Sequence, residues 1–486
     1  MKLEKVIAQM NAKATALDPA LLEREVGSFA IDSREVASDG VFFALSQPEY
    51  ATNGFNGEFD DSTTFVPAAF AAGAAACVVR EDRFTEHLLK LGEFHDRLIF
   101  VEDSIAAFQR LAHGVYQEWN KPIVAITGSA GKTTAKELTA HVLESSGRKV
   151  LRNIKNYNNG LGLPLTVLNL ASDASYDAAV LEMGMSTPQN EIARLCRITP
   201  PDVSVVLNVL PVHIEHLGSI DNVAAAKAEI VEGMKDGGTA VLNIDDPLVA
   251  AMQVLSKGRT ITFGIVNEAD IRAEDVKFEQ LGETTFTLKI DGQKAGVSFP
   301  LNGRHNILNA LAAAAVGFSF GMRPDVIAAS LASVRAPPQR GEILVFKEGF
   351  TVVNDSYNSN PDALLNMVRT LVEGGQNASR RIVVAGEMLE LGPGAADVHH
   401  RTGQEIAVTG IDILYGVRGL AANLVNGARD SNLSQARFVE DSESAGEILA
   451  AEVRRGDLIL VKGSRGVRTE KVIERLLEKF ELERTM

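Results

Sequence analysis

Residues 123–134 read IVAITGSAGKTT, and the fold of the surrounding chain follows from this stretch. The apolar residues 123–126 predict a buried strand, and residues 134–145 predict a helix. Glycines between the two let the backbone turn tightly, so that successive N–H groups point at one anion beside the positive end of the helix. The stretch therefore predicts a phosphate-binding loop, with nucleotide contacts from Gly128, Ser129, Ala130, Gly131, Lys132, Thr133 and Thr134.

The loop matches a compact form of the general phosphate-loop pattern. That pattern places glycine five residues before Gly131, where this chain has Ile126. We expect Lys132 to pair with the β- and γ-phosphates of ATP and the Thr133 hydroxyl to reach Mg²⁺. A glycine-rich turn with a solvated lysine is the alternative. The loop alone does not separate a kinase from an ATPase or a ligase.

Short apolar runs alternate with helical patterns on both sides of this loop. Such alternation is typical of βαβ units and a mostly parallel sheet. Residues 271–299 differ, because they predict paired strands around a hairpin turn at Asp291-Gly292. The predicted strands of this block are 123–126, 178–181, 203–207 and 239–242, and its predicted helices are 134–145, 222–234 and 307–317.

The chain of 486 residues is long enough for about three domains at roughly 150 residues each. The first block has strands at 41–45 and 76–79 and a helix at 66–73, and a helix at 104–120 leads out of it. Consecutive prolines at 337 and 338 indicate a linker before a third block with strands at 351–353, 381–385, 413–415 and 458–461. We expect α/β domains at 1–103, 104–334 and 335–486.

Composition excludes several classes of protein. Hydrophobic residues make up 45% and charged residues 23% of the chain, which is ordinary for a globular protein and not for a disordered or fibrous one. A net charge of −15 disfavours sequence-independent binding of nucleic acid. Two cysteines, Cys77 and Cys196, make no disulfide framework, which fits a reducing compartment. The charged N-terminus and the lack of a long apolar run predict a cytoplasmic protein without a membrane segment.

Polar side chains follow two of the predicted strands. Glu182 ends the run 178–181, and ligands of open α/β sheets bind at the carboxyl ends of strands. Its carboxylate suits Mg²⁺, although an isolated glutamate here is more often a solvated charge. After 203–207 come His213, Glu215 and His216, a spacing that is weak for zinc. Lys227 stands in an apolar helical segment, where a lysine usually extends to water.

Taken in order, the motifs resemble those of the ATP-dependent Mur ligases of peptidoglycan synthesis. The resemblance covers nearly the whole chain and all three blocks. The matching segments are TGSAGKTT at 127–134, NYNNGLGLP at 156–164, LEMGM at 181–185, NVLPVH at 208–213, AAAKAE at 224–229, GRHN at 303–306, NDSYNSNP at 354–361 and VKGSR at 461–465.

The resemblance implies a three-domain architecture: a small α/β domain for the UDP-linked substrate, a central P-loop domain with a parallel sheet, and a Rossmann-like C-terminal domain. Runs 355–361, 384–392 and 460–465 favour the members that join D-alanyl-D-alanine to UDP-N-acetylmuramoyl-tripeptide through an acyl phosphate. Members that add a single diaminopimelate or lysine remain an alternative, although their DNPR-type motif is absent from this chain. A phosphoryl transferase and a non-catalytic UDP-sugar-binding scaffold also stay open.

The resemblance also implies roles for individual residues in a monomeric enzyme that uses ATP and two Mg²⁺ ions. Lys132, Lys227, His213 and Arg340 are the expected catalytic residues, with Lys227 carbamoylated. Thr133 is expected to bind the first Mg²⁺, and Glu182 and His213 the second. Asn306 is expected to read adenine, Asp355 to bind the ribose and Arg340 to reach the γ-phosphate. The expected substrate contacts are Ser33, Arg34, Asn158, Asn159, Asn358, Lys462 and Arg465.

Overall fold

A computed structural model describes residues 1–14, 17–55, 58–153, 157–185, 190–211 and 217–485, the side chain of Gln280 apart. Within these residues the strands form three sheets that follow one another along the chain. In the same residues, no helix is long and apolar enough to cross a bilayer.

The first sheet is parallel, with its strands in chain order. Its strands are β1 (Phe29–Ala30), β2 (Val41–Phe43), β3 (Ala76–Arg80) and β4 (Leu98–Val101). Its helices are α1 (Leu3–Met10), α2 (Pro19–Leu22), α3 (Gln47–Thr52), α4 (Val66–Ala71), α5 (Glu81–Glu86) and α6 (Leu88–Leu91).

The central sheet has the order β13-β12-β11-β10-β9-β8-β5-β7-β6, in which β5 to β11 pair in parallel and β11 to β13 form an antiparallel meander. Its strands are β5 (Ile123–Thr127), β6 (Val150–Arg152), β7 (Ala178–Glu182), β8 (Val203–Val206), β9 (Thr239–Asn243), β10 (Arg259–Gly264), β11 (Ile271–Gln280), β12 (Glu283–Ile290) and β13 (Gln293–Phe299). Its helices are α7 (Ser104–Trp119), α8 (Lys132–Glu144), α9 (Gly162–Leu168), α10 (Glu191–Ile198), α11 (Ile220–Glu232), α12 (Pro247–Ala250), α13 (Arg304–Ser319) and α14 (Pro324–Ala332).

The third sheet has the order β18-β17-β16-β19-β15-β14-β20, parallel from β18 to β15 and antiparallel at β14 and β20. Its strands are β14 (Glu342–Phe346), β15 (Thr351–Asp355), β16 (Arg380–Gly386), β17 (Ile413–Val417), β18 (Ala436–Val439), β19 (Asp457–Lys462) and β20 (Leu482–Thr485). Its helices are α15 (Pro361–Gly374), α16 (Ala395–Ala407), α17 (Ala421–Asp430), α18 (Ser442–Glu452) and α19 (Glu470–Lys479).

The predicted α/β architecture with three domains is confirmed. β5 is buried along its whole length, as a central parallel strand must be. The turn at Asp291 and Gly292 has φ values of 49° and 74°, which is the left-handed pair that a tight hairpin requires. The strands β1, β4, β6, β10, β14, β18 and β20 were not among the predicted elements.

The first two sheets share a core. One continuous apolar cluster runs from α1 through β2 to β5 and α10. α7 lies in this cluster and begins where Asp103 accepts a hydrogen bond from the Ala106 N–H at 2.9 Å. The prediction that domains divide at 103/104 and 334/335 stays a prediction.

Candidate active site

The phosphate loop joins β5 to α8 through a glycine in the left-handed region. Gly131 has φ of 82°, and a Cβ atom there would lie 2.5 Å from the Oδ1 atom of Asn309. Both features exclude a side chain at this position. The Lys132 ammonium donates to the Gly128 carbonyl oxygen at 2.8 Å. Burial lowers the pKa of Lys132, against the opposing charge of Glu182.

The segment after β8 holds the phosphate loop through hydrogen bonds. The Asn208 side chain accepts from the Ala130 N–H at 2.9 Å, and its backbone carbonyl accepts from the Ser129 N–H at 3.1 Å. The Ser129 hydroxyl donates to the Leu210 carbonyl at 3.1 Å. Asn208 and Asn309 were not predicted as site residues. Asn208 begins the NVLPVH motif, and that position was the available signal.

Glu182 lies beside the loop at the end of β7, and only 4% of the residue is exposed. Its carboxylate accepts hydrogen bonds from the Thr133 hydroxyl at 2.7 Å and from the Asn158 amide at 2.8 Å. Asn153 bonds its backbone on both sides, at 3.0 and 2.9 Å. The hydroxyl and the carboxylate are hard oxygen donors in direct contact, and they fit Mg²⁺.

Asn159 has a different place from Asn158. Its Oδ1 atom accepts from the backbone N–H groups of Leu161 at 3.1 Å and Gly162 at 2.9 Å. The side chain thus holds the loop that leads into α9, while Asn158 points to Glu182. One asparagine shapes the loop and its neighbour contacts the carboxylate.

Lys227 lies on α11 with 2% of the residue exposed. The expectation that a lysine here extends to water is wrong, because α11 packs this face into the interior. Burial lowers its pKa well below the ordinary value, and the charge of Lys132 lowers it further. Among the described residues, no acidic side chain forms an ion pair with Lys227. The two lysines therefore belong to one electrostatic pocket.

Arg340 reaches this pocket from the C-terminal sheet. It lies just before β14, and its guanidinium carbon lies 4.0 Å from the ring centroid of Tyr357. Its charge contributes to lowering the pKa of Lys132. Lys132 thus interacts electrostatically with Glu182, Lys227 and Arg340.

A second charged group stands where β15 and β19 end side by side. The Lys462 ammonium donates to the Asp355 carboxylate at 2.6 Å and to the Asn358 carbonyl at 2.9 Å. His305, at the start of α13, faces this pair: burial lowers its pKa to about 4, Asp355 opposes that shift and Lys462 adds to it. Asp355, Asn358 and Lys462 therefore meet at the junction of the central and C-terminal sheets.

Asn306 lies at the same junction. Its amide donates to the Asn302 carbonyl at 2.8 Å, and it is largely buried. A cavity beside it is lined by amide, hydroxyl and apolar groups. The lining residues are Leu281, Asn302, Asn306, Gly341, Ile343, Val353, Met367, Thr370 and Leu371.

The remaining predicted site residues contact other parts of the chain or lie outside the described residues. Arg465 is exposed, pairs with Glu470 at 3.2 Å and lies 5.7 Å from the Tyr357 ring centroid. Ser33 and Arg34 belong to a turn of the N-terminal domain, where Arg34 donates to Asp32 and lowers the pKa of that carboxyl to about 2. His213, like Glu215 and His216, lies outside the described residues.

A P-loop domain whose loop lysine interacts with a second, buried lysine, joined to a Rossmann-like domain that supplies an arginine, defines the class of ATP-dependent Mur-type ligases. Residues 126–317 match the model of the Mur ligase middle domain, and residues 339–465 match that of the Mur ligase glutamate ligase domain. The chain belongs to the Mur ligase family.

Relatives within the family are more specific. The chain is 32% identical to the UDP-N-acetylmuramoyl-tripeptide–D-alanyl-D-alanine ligase of Bacillus subtilis, over 98% of both chains. Its fold is similar to that of MurF from Acinetobacter baumannii, with a TM-score of 0.84 over 98% of this chain and 99% of that one at 24% identity. MurF from Thermotoga maritima in complex with ADP is 28% identical, with a TM-score of 0.78 over 93% of this chain and 97% of that one.

Proposed function

We propose that this chain joins D-alanyl-D-alanine to UDP-N-acetylmuramoyl-tripeptide, with ATP converted to ADP and phosphate. The product is the UDP-linked pentapeptide. One observation supports the proposal: Thr133 of the phosphate loop bonds the Glu182 carboxylate, and Lys132 of the same loop interacts electrostatically with Lys227 and with Arg340 of the C-terminal domain. The named relatives, matched over nearly the whole chain, supply the substrate pair.

Amide formation requires activation because a carboxylate is a poor electrophile. Transfer of the γ-phosphoryl group of ATP to the terminal carboxylate of the tripeptide breaks the bond to ADP and forms an acyl phosphate. The amine of the dipeptide then attacks the acyl carbon, and phosphate leaves. Lys132 and Arg340 neutralise the charge of the transferring phosphoryl group, from opposite sides of a domain junction.

Mg²⁺ fits the Thr133 and Glu182 oxygens, which already lie in hydrogen-bond contact. When bound, the ion supplies positive charge at the phosphate oxygens. Two ions are expected for this chemistry. Asn158 holds the Glu182 carboxylate in place, and His213 remains the proposed further ligand of the second ion.

Lys227 is proposed to act as a carbamate. Burial lowers the pKa of Lys227 and so favours its neutral amine form, which adds to CO₂ with loss of one proton. The product is an anionic oxygen donor in place of an ammonium. It relieves the repulsion from Lys132 and provides a group that attracts a divalent cation.

The other proposed roles are contacts with ATP and with the two substrates. Asn306 and Asp355 are proposed to contact the adenine and ribose of ATP, and Asn358, Lys462 and Arg465 to contact substrate at the C-terminal sheet. Ser33 and Arg34 are proposed to contact the UDP-linked substrate. We propose a cytoplasmic monomer, since one chain supplies every group that the reaction requires.

An amine panel tests the proposal. Purified enzyme, ATP, Mg²⁺ and UDP-N-acetylmuramoyl-tripeptide are mixed with D-alanyl-D-alanine, diaminopimelate or lysine in turn, and phosphate release and product mass are followed. We expect phosphate release and ligation with the dipeptide alone. Consumption of a single amino acid would assign a neighbouring Mur reaction. Phosphate release or a phosphorylated product without any amine would assign a phosphoryl transferase.

A further inference from the structure

A second lysine of α8 is buried one helical turn after Lys132. Only 2% of Lys136 is exposed, and its side chain is among the largest that the protein buries completely. Its ammonium donates a hydrogen bond to the backbone carbonyl of Asn153 at 2.5 Å. Because burial of an ammonium costs free energy unless its charge and its hydrogen bonds are matched, a lysine here calls for a specific reason.

Glu137 balances the charge of this lysine. The Glu137 carboxylate lies 3.0 Å from the Lys136 ammonium and 3.1 Å from the Arg152 guanidinium. A third of the Glu137 side chain is exposed, whereas the side chain of Lys136 is buried. The ion pair therefore compensates the charge of Lys136, while its hydrogen bond to Asn153 ties α8 to the end of β6.

Asn153 continues the pairing of β6 with β7 beyond the last paired residues of the two strands. That ladder ends with Arg152 beside Val180. Two residues further along β7, the Glu182 N–H donates to the Asn153 Oδ1 atom at 3.0 Å, and the Asn153 Nδ2 atom donates to the Glu182 carbonyl at 2.9 Å. The Nδ2 atom also donates to the Tyr157 carbonyl at 2.9 Å. A buried amide with these bonds has one orientation, and it fixes the backbone of Glu182.

The side chain of Glu182 is held as well as its backbone. Its two carboxylate oxygens accept from the Thr133 hydroxyl at 2.7 Å and from the Asn158 amide at 2.8 Å. A carboxylate fixed at both ends presents its oxygens in one geometry before an ion binds. Lys136, Asn153 and Glu182 therefore form one series of contacts from α8 to the oxygen donors that fit Mg²⁺, which we call the Lys136 network.

Lys136 differs from Lys132 in what its ammonium contacts. The Lys132 ammonium donates to the Gly128 carbonyl within the phosphate loop at 2.8 Å, and the residue is half-buried. The Lys136 ammonium instead contacts the Asn153 carbonyl and the Glu137 carboxylate, outside the phosphate loop. We therefore assign the phosphate contact to Lys132 alone of these two lysines.

We infer that Lys136 is a positioning residue for the metal site: through Asn153 it holds the Glu182 carboxylate in the place where Mg²⁺ takes it as a ligand. The inference rests on the proposed function, from which it takes the Mg²⁺ site at Thr133 and Glu182. Groups that orient a metal ligand in this way contribute about 10- to 100-fold to metal affinity. Lys136 should thus act on Mg²⁺ binding and leave the direct contacts of the nucleotide unchanged.

Binding of a non-hydrolysable ATP analogue tests the assignment without turnover. Its Kd is measured by calorimetry in Mg²⁺ and in EDTA, and the ratio of the two values gives the gain in affinity from Mg²⁺. We expect K136M and N153A to reduce that gain about 10-fold or more, with an unchanged Kd in EDTA. K235M is the matched control, because Lys235 is a partly buried lysine that pairs with Asp202 at 2.8 Å. It should keep the wild-type gain.

A double variant shows whether Lys136 acts through Glu182. E182Q should lose most of the gain from Mg²⁺, and the double variant of K136M with E182Q should lose no more. In ligation assays, the Mg²⁺ concentration that gives the half-maximal rate should rise about 10-fold in K136M. Saturating Mg²⁺ should then restore kcat, which it would not do for a general loss of structure.

Three results would overturn the inference. One is a wild-type gain from Mg²⁺ in both K136M and N153A. Another is an equal loss of affinity in Mg²⁺ and in EDTA, which would make Lys136 a support of the whole phosphate loop. The third is a further loss in the double variant beyond that of E182Q.

Two measurements keep these outcomes separate from other failures. Circular dichroism checks that each variant folds, and N153A decides the question if K136M does not fold, because it leaves no buried charge unpaired. A folded wild-type chain that binds no ATP analogue in either buffer would instead refute the proposed function.

Discussion

At the scale of single residues, the described part of the pocket holds more cations than anions. Glu182 raises the pKa of Lys132 while Arg340 lowers it, and the charge of Lys132 lowers the pKa of Lys227. Like charges in a buried site raise the free energy of the protein unless an anion binds. The charge balance of the pocket therefore favours a polyphosphate, and each lysine can be tested separately.

The first prediction concerns Lys132. K132M removes the charge and keeps most of the volume, so the fold should persist, because the half-buried ammonium has one hydrogen bond, to the Gly128 carbonyl, and no ion pair among the described residues. We expect kcat to fall about 100- to 1000-fold through loss of charge stabilisation at the phosphoryl group. ADP release measures the fall in kcat, and a thermal melt measures whether the fold persists. Wild-type turnover in K132M would remove this lysine from the mechanism.

The second prediction concerns Lys227. K227A should lose ligase activity, and short-chain carboxylates such as acetate or propionate should restore part of it by occupying the place of the carbamate. Bicarbonate alone should not restore the variant. Depletion of CO₂ should reduce wild-type activity reversibly. Full activity of K227A without any additive would show that Lys227 has no such role.

Sequence and structure agree best for residues whose role is local. The phosphate loop could be predicted because Gly128, Gly131 and Lys132 lie within five positions and each has a backbone or charge requirement. Asn309 could not, since its contact with Gly131 crosses more than half the central domain in sequence. The burial of Lys227 could not be predicted from the sequence either, because helical spacing does not tell which face of α11 packs inward.

At the scale of elements, a buried carboxylate joins two helices of different domains. Glu49 accepts from the Ser46 N–H at the start of α3 and from the Ser104 N–H at the start of α7, each at 2.8 Å. Its side chain is completely buried. Burial raises its pKa to about 7, against both hydrogen bonds. This junction should therefore respond to pH.

The third prediction follows from the direction of that shift. The folded chain holds the Glu49 proton more tightly than the unfolded chain does. Its contribution to the free energy of unfolding is full below pH 4.5 and is lost as the pH rises to about 7, a change of about 3 kcal/mol. E49Q should lose stability at every pH but lack this dependence.

Urea denaturation at several pH values measures the free energy of unfolding of the wild type and of E49Q. E58Q, an exposed acidic position, is the control and should follow the wild type. If the free energies of unfolding of the wild type and E49Q change in parallel from pH 4.5 to 7, burial does not raise the pKa of Glu49 as proposed.

The elements missed from the sequence are mostly short or at sheet edges. β18 and β20 have four residues each, and three of the four residues in β20 are exposed. Such strands lack the continuous apolar run that marks β5. The central strands predicted in this chain, and the helices predicted at 104–120, 134–145, 222–234 and 307–317, agree with the structure to within a few residues, because a continuous buried face imposes a strong pattern.

At the scale of the whole molecule, the reaction requires groups from separate sheets to meet. Arg340 lies just before the first strand of the C-terminal sheet and Lys132 lies in the phosphate loop of the central domain, and their charges repel. ATP binding should remove this repulsion and draw the two domains together, which also excludes water from the acyl phosphate.

The fourth prediction is compaction by nucleotide. Small-angle scattering at low ionic strength should give a smaller radius of gyration with a non-hydrolysable ATP analogue and Mg²⁺ than without them. R340A should reduce the change, because it removes one of the repelling charges. An identical scattering curve in both states would argue that the domains stay closed throughout the cycle.

The central claim is that this chain activates a carboxylate with ATP so that a dipeptide amine can attack it. The most direct measurement uses UDP-N-acetylmuramoyl-tripeptide labelled with heavy oxygen in its terminal carboxylate. After turnover with D-alanyl-D-alanine, we predict that the released phosphate carries one of the two labelled oxygens. The pentapeptide product should retain the other one in its new amide carbonyl. Released phosphate without label, alongside the same product, would contradict the claim.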